Sequence, residues 1–159
     1  MGGAPERPEL RERIEAFLGE HHVMTLATSG AAGPWAAAVF YASDGLTLYF
    51  VSAPGSRHSL EIEASGAVAA TIHAECRDWR EIRGVQLEGA ASRLDGAARA
   101  AAALCYGRKF PLVANLASAP AEIAIALARV AWYQVLPRRI RLIDNTRGFG
   151  HKEELRLER

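Results

Sequence analysis

About six strand-like segments joined by short turns predict a mostly β domain with flanking helices, its six antiparallel strands closed into a barrel. Apolar runs that alternate or are nearly continuous fit strands wrapped around a small core. Gly84 and Gly89, inside the longest segment, suggest the bulges or close backbone approaches that a curved barrel requires. With 159 residues, a single domain spanning 1–159 is expected. A hydrophobic share of 50% places it among globular chains.

The N-terminal helical segment occupies residues 1–20. Leu10, Ile14, Phe17 and Leu18 recur at helical spacing between Pro8 and Leu18, and Gly19 is a plausible stop. His21 and His22 follow at the start of a strand. Neighbours there point to opposite faces, so the pair makes a poor chelate and no metal site is read. Val23–Thr28 is the first strand, and residues 29–34 turn the chain. Trp35–Tyr41 and Leu46–Val51 form a hairpin about Ser43-Asp44-Gly45. Pro54-Gly55 halts the pairing, and Ser56 caps a helix reaching about Ala64.

Ala67–His73 is the next strand, followed by a charged loop containing Trp79 and the long strand Ile82–Leu94. Asp95 is placed to cap an alanine-rich helix, Gly96–Arg108. A helical patch runs from Pro120 to about Ala128. Strands at Val130–Leu136 and Ile140–Ile143 are separated by Pro137-Arg138-Arg139, and residues 146–159 read as a C-terminal tail.

Composition excludes several partners. A formal net charge of +1 gives no support to nucleic acid or to an acidic membrane surface. Cys76 and Cys105 lack Cys-x-x-Cys spacing and read as free thiols, which fits a cytoplasmic setting. No apolar run reaches the roughly 18 residues that span a bilayer. The N-terminus lacks the basic-then-apolar order of a signal peptide.

The informative stretch is Gly33–Leu60. The helix beginning at Ser56 offers unpaired N–H groups and a partial positive charge, which suit an anion. Ser52 and Ser56 add hydroxyls, and Arg57 adds a planar fork matched to phosphate oxygens. Ala36, Ala37 and Ala38 leave a strand bare enough for a flat ring to approach. An ordinary hairpin followed by a capped surface helix, with Arg57 solvated, accounts for the same residues.

The alanine-rich strand, Asp44-Gly45, Leu48-Tyr49-Phe50 and Gly55-Ser56-Arg57-His58 together resemble the FMN-binding split-barrel superfamily typified by pyridoxamine 5′-phosphate oxidase. The segments 82–86, 110–120 and Asp144-Asn145-Thr146-Arg147-Gly148-Phe149-Gly150 resemble a small branch of it. The resemblance implies a six-stranded antiparallel split barrel with FMN as cofactor, a homodimer, and a flavin-dependent oxidoreductase acting on a small molecule. It places Ser56 and Arg57 at the FMN phosphate, with His58 next to them, and Ala38, Val39 and Phe40 on the strand that supports the ring; Ser52 and Gln86 complete the expected cofactor-binding residues. His58 stands where that family usually has lysine, so its charge depends on pH. The tail lacks the family's Arg-x-His substrate element, so vitamin B6 oxidation is not expected. No catalytic side chain is assigned, because in a flavoenzyme the hydride chemistry belongs to the cofactor. The alternative function is a non-catalytic split barrel holding FMN, haem or another flat ligand, with His21, His22, His73 or His151 available to haem iron.

Overall fold

The computed structural model describes residues 7–158, apart from the side chain of Leu116. In chain order the elements are α1 (Pro8–Glu20), β1 (Val23–Gly30), β2 (Gly33–Asp44), β3 (Thr47–Ser52), α2 (Arg57–Ser65), β4 (Ala67–His73) and β5 (Arg83–Leu94). There follow α3 (Gly96–Lys109), α4 (Pro111–Ala114), α5 (Ala121–Arg129), β6 (Ala131–Asp144) and β7 (Lys152–Arg156). The strands form one antiparallel sheet in the order β3-β2-β1-β4-β5-β6-β7, and a β3–β6 pairing closes the first six into a barrel. The expected six-stranded barrel with outer helices is therefore present, with a seventh strand attached to β6.

Alternation along the strands fills the barrel. Met24 and Leu26 of β1, Leu48 and Phe50 of β3, Val85 and Leu87 of β5, and Tyr133, Val135 and Ile140 of β6 are buried. Phe50 stacks on Tyr133 with ring centroids 5.1 Å apart. Helix α1 adds Leu10, Ile14, Phe17 and Leu18 to this core, all buried, as the spacing required. A second cluster lies under α3, where Ala102, Cys105 and Tyr106 meet Ala42, Leu94 and Trp132. Alanine at 102 lets that helix approach the sheet closely.

Of the two glycines inside β5, Gly89 is required and Gly84 sits in a tight contact. A Cβ on Gly89 would lie 2.2 Å from the Leu136 carbonyl oxygen, and the β5–β6 register shifts at Glu88/Gly89. A Cβ on Gly84 would meet the Ile72 oxygen at 3.1 Å. The two strands read at Val130–Leu136 and Ile140–Ile143 are in fact one, β6, running through Pro137. On one edge of β6, β3 lies beside Ala131–Val135 and β7 beside Arg139–Ile143, so Pro137 falls between partners. Its missing N–H breaks no ladder there. The first hairpin also turns more tightly than expected, closing at Gly30↔Gly33 with Gly33 at φ +90°. Helix α1 passes Gly19 and ends one residue later.

The tail 146–159 contains β7 and, before it, a clasp. Asn145 donates its backbone N–H to Ile82 O (2.9 Å) and its Nδ2 to Trp79 O (2.7 Å), while its Oδ1 accepts from Gly150 N (3.1 Å). Asp144 Oδ1 accepts from Thr146 N and Oγ1. These bonds bind the tail to the loop before β5 and set Trp79 edge-on to Phe149, 5.4 Å between centroids. No helix among the described residues is long and apolar enough to cross a membrane.

Candidate functional site

The end of β3 and the start of α2 bring three of the expected residues, Ser52, Ser56 and His58, together, while Arg57 turns to other partners. Ser56 is the N-cap of α2, its Oγ accepting from Ser59 N (3.4 Å) and donating to Ser59 Oγ (2.8 Å). Ser52, the last residue of β3, has its Oγ 2.6 Å from His58 Nε2 and 3.2 Å from Ser56 Oγ. The imidazole is also 3.2 Å from Ser56 Oγ. Two hydroxyls and one imidazole thus form a triangle at the mouth of the helix, with the first-turn amides beside it.

His58 is buried, and desolvation lowers its pKa below the ordinary value, opposed by Glu61. The imidazole is neutral at pH 7 and faces the two serines, so it serves as a hydrogen-bonding wall and not as a lysine-like cation. Arg57 is also engaged. Its Nε donates to Glu61 Oε1 (2.9 Å), its Nη2 donates to Gly33 O (3.0 Å), and the guanidinium lies over the Trp35 ring at 4.8 Å. Glu61 in turn accepts from Thr28 Oγ1 at 2.6 Å, and the Thr28 and Arg57 hydrogen bonds hold its carboxyl below the usual range.

Sequence reasoning missed Glu61, Thr28, Gly33 and Trp35 as the frame around Arg57. The i,i+4 spacing of Arg57 and Glu61 was a legible signal. The other three approach from β1 and β2, and no local pattern announces them.

The ring-side residues divide. Ala38 and Phe40 point outward from β2 and are exposed, whereas Val39 turns inward, half-buried, against Met24. Gln86 lies on the same outer face as Ala38, in the paired row Ala38–Thr25–Thr71–Gln86–Arg141–Glu154. Two strands stand between them, so Ala38 and Gln86 are about 14 Å apart at ordinary strand spacing. Only a ligand spanning that row could touch both. Near Gln86 a shallow depression of ≈ 200 Å³ is lined by Ala69, Glu88, Arg139 and Arg141.

Among the four expected histidines, His21 stacks on Phe17 at 4.0 Å with Nδ1 2.8 Å from Phe17 O. His22 is exposed beside Phe110, which in turn contacts Phe40 edge-on at 5.7 Å. His73 is exposed, and His151 faces Glu153 at 3.5 Å. No cluster of three or more metal-binding side chains occurs among the described residues.

An antiparallel six-stranded barrel with helices packed outside it and a seventh strand at its edge is a split-barrel architecture. The sequence profile described as pyridoxamine 5′-phosphate oxidase matches residues 10–144. The UPF0306 protein plu4501 of Photorhabdus laumondii is 31% identical over 141 residues, covering 87% of this chain and 90% of its own. UPF0306 protein YhbP of Escherichia coli O157:H7 is 32% identical over 141 residues, covering 87% and 88%. The chain belongs to the pyridoxamine 5′-phosphate oxidase family, among its UPF0306 proteins.

Solved structures agree on the fold. A haem-binding protein of Mycobacterium smegmatis superposes with a TM-score of 0.72 at 20% identity over 97% of this chain, which spans 60% of that protein's length. HutZ, a haem storage protein of Vibrio cholerae, gives 0.63 at 15% identity over 79% of this chain and 88% of its own.

Proposed function

We propose that this chain is an FMN-binding split-barrel protein that works as a flavin-dependent oxidoreductase on a small molecule. The observation that carries this reading is the helix start at Ser56. The Ser52 and Ser56 hydroxyls and the first-turn amides of α2 meet there, and Arg57, the first residue of that helix, holds its guanidinium between Glu61, Gly33 O and the Trp35 ring. This donor set suits a phosphate monoester. Gly55 has nothing within 4 Å of where a Cβ would stand, so the loop leaves room for the ligand.

In this reading Ser52, Ser56 and Arg57 hold the phosphate, and His58 orients the two hydroxyls. Ala38 and Phe40 form the floor near the ring, Val39 supports that strand from within, and Gln86 lies farther along the same face. The flavin, when bound, supplies hydride transfer; the chain's own part is to bind, orient and exclude water. The exposed Val23 and Phe40, paired on the outer face of β1 and β2, favour a homodimer in which a second barrel covers them. The free thiols, Cys76 exposed and Cys105 buried, suit a reducing, cytoplasmic setting.

A haem-binding role is the second reading. It is favoured by the exposed His22 imidazole beside the Phe110 and Phe40 rings, a surface on which a flat macrocycle could lie with an iron ligand at hand. Absorbance and mass spectrometry of the ligand released from purified protein test both readings. A flavin spectrum bleached by NADH or NADPH and restored by air is expected. A Soret band lost in His22→Ala would replace the flavin reading with haem binding.

A further inference from the structure

A second group of cations shares no residue with the β3–α2 site. A pocket of ≈ 320 Å³ opens between the first turns of α1 and the C-terminal segment, lined by Arg7, Glu9, Arg13, Arg147 and Glu153 among others. Three guanidinium groups converge there on one carboxylate. Arg7 Nη2 is 2.6 Å from Glu153 Oε1, while Arg13 Nη1 and Arg147 Nη1 are 2.5 and 3.4 Å from Oε2. The His151 ring is 3.5 Å from that same oxygen. Asp144 meets Arg13 at 3.5 Å and Arg83 at 3.9 Å. Four arginines thus face two carboxylates, with Glu9 on the rim.

The field this creates is strong. The hydrogen bond from Arg13, with help from His151 and Arg7, pushes the Glu153 pKa down to about 2. Donors also outnumber acceptors. Arg13 Nη2 and His151 Nε2 are buried, and each has only a carboxylate oxygen at 3.5 Å, Asp144 Oδ2 and Glu153 Oε2, too loosely placed to count as a hydrogen bond among the described residues. A buried guanidinium N–H such as that of Arg13 Nη2 is costly unless something accepts from it. The Arg7 and Arg147 side chains remain 43% and 51% exposed, each gives Glu153 a single nitrogen, and both line the pocket.

The shape of the donor set selects a ligand class. A monocarboxylate would only duplicate Glu153. A tetrahedral dianion offers three oxygens to forks arriving from three directions: the residue before α1, its second turn, and the turn before Gly148. We propose that this pocket binds the phosphate group of a small ligand through Arg7, Arg13 and Arg147, with Glu153 as the internal carboxylate that keeps those donors gathered and competes with the ligand for them.

Calorimetric titration of the full chain with inorganic phosphate and with phenyl phosphate, at constant ionic strength and with acetate as control, tests this. Phosphate is expected to bind where acetate does not. Arg7→Gln and Arg147→Gln should each weaken binding by about tenfold to a hundredfold, as loss of a charge-assisted hydrogen bond does. The titrations are repeated in an Arg57→Ala background, which removes the fork of the other proposed phosphate site; the binding that depends on Arg7 and Arg147 should persist there. Glu153→Gln should tighten binding several-fold, an effect that a purely structural carboxylate would not produce. If that variant does not fold, the two rim arginines decide. Tighter binding of phenyl phosphate than of inorganic phosphate would point to an ester, and the reverse order to the free ion. The proposal is overturned if phosphate binding is absent, equals that of acetate, survives both rim substitutions, or is abolished by Arg57→Ala.

Discussion

Replacing Arg57 with alanine separates phosphate recognition from support of the fold. In this structure the guanidinium has three partners: Glu61 Oε1, Gly33 O and the Trp35 ring. Its ion pair is partly exposed, with the side chain 34% accessible, so the loss of stability should stay near 1 kcal/mol or below. A charge-assisted bond to a phosphate is worth more, about 1.5–3 kcal/mol, which corresponds to roughly tenfold to a hundredfold in Kd. Quenching of flavin fluorescence gives Kd for FMN and for riboflavin, which lacks the phosphate. The expected pattern is a large loss for FMN in Arg57→Ala and almost none for riboflavin, shrinking in high salt. Equal losses for both flavins would mean that Arg57 supports the ring or the fold, and the phosphate assignment would fall.

Three further expectations follow from the same geometry. Gly89→Ala forces a Cβ to within 2.2 Å of the Leu136 carbonyl, a backbone clash no rotamer relieves, so stability should drop by about 3 kcal/mol and Tm by roughly 10 °C in a thermal melt. Glu153 has a depressed folded-state pKa, so its stabilising contribution is present above the ordinary carboxyl value of 4.5 and is lost as pH falls toward about 2. Glu153→Gln should therefore be less stable than wild type at pH 7 and lose less on acidification; parallel acid-unfolding curves would refute the assignment. Sedimentation at micromolar concentration should give a dimer, and a single species of 17.2 kDa would exclude one.

The parts of the structure visible in the sequence were those written in local chemistry. Alternating β segments, the Ser56 cap and the α1 stripe each follow from periodicity or a single side chain, and each is present. Gly84 and Gly89 both marked close approaches, a tight one at Gly84 and one that admits no Cβ at Gly89. Pro137 misled because the rule that proline interrupts a strand holds only where its N–H would have met a neighbour, and β6 changes neighbours at that residue. Strand β7 was hidden because Lys152–Arg156 is almost wholly charged. Its outer edge faces no further strand, and charge is what an edge strand tolerates. At the candidate site, Ser52, Ser56 and His58 meet because they are near in sequence. The Thr28–Glu61–Arg57–Trp35 chain is assembled from three elements, and only tertiary structure brings it together.

Closure between β3 and β6 also sets an order of events. The paired residues Ser52 and Ala131 lie ~80 positions apart, a long loop for a contact on which the barrel depends. Before β6 emerges from the ribosome, β1–β5 can form only an open sheet with bare edges at β3 and β5. The helices α3–α5, inserted between β5 and β6, prolong that interval. A chain halted anywhere before Ala131 therefore presents two unpaired strand edges at once, the condition under which sheets recruit one another.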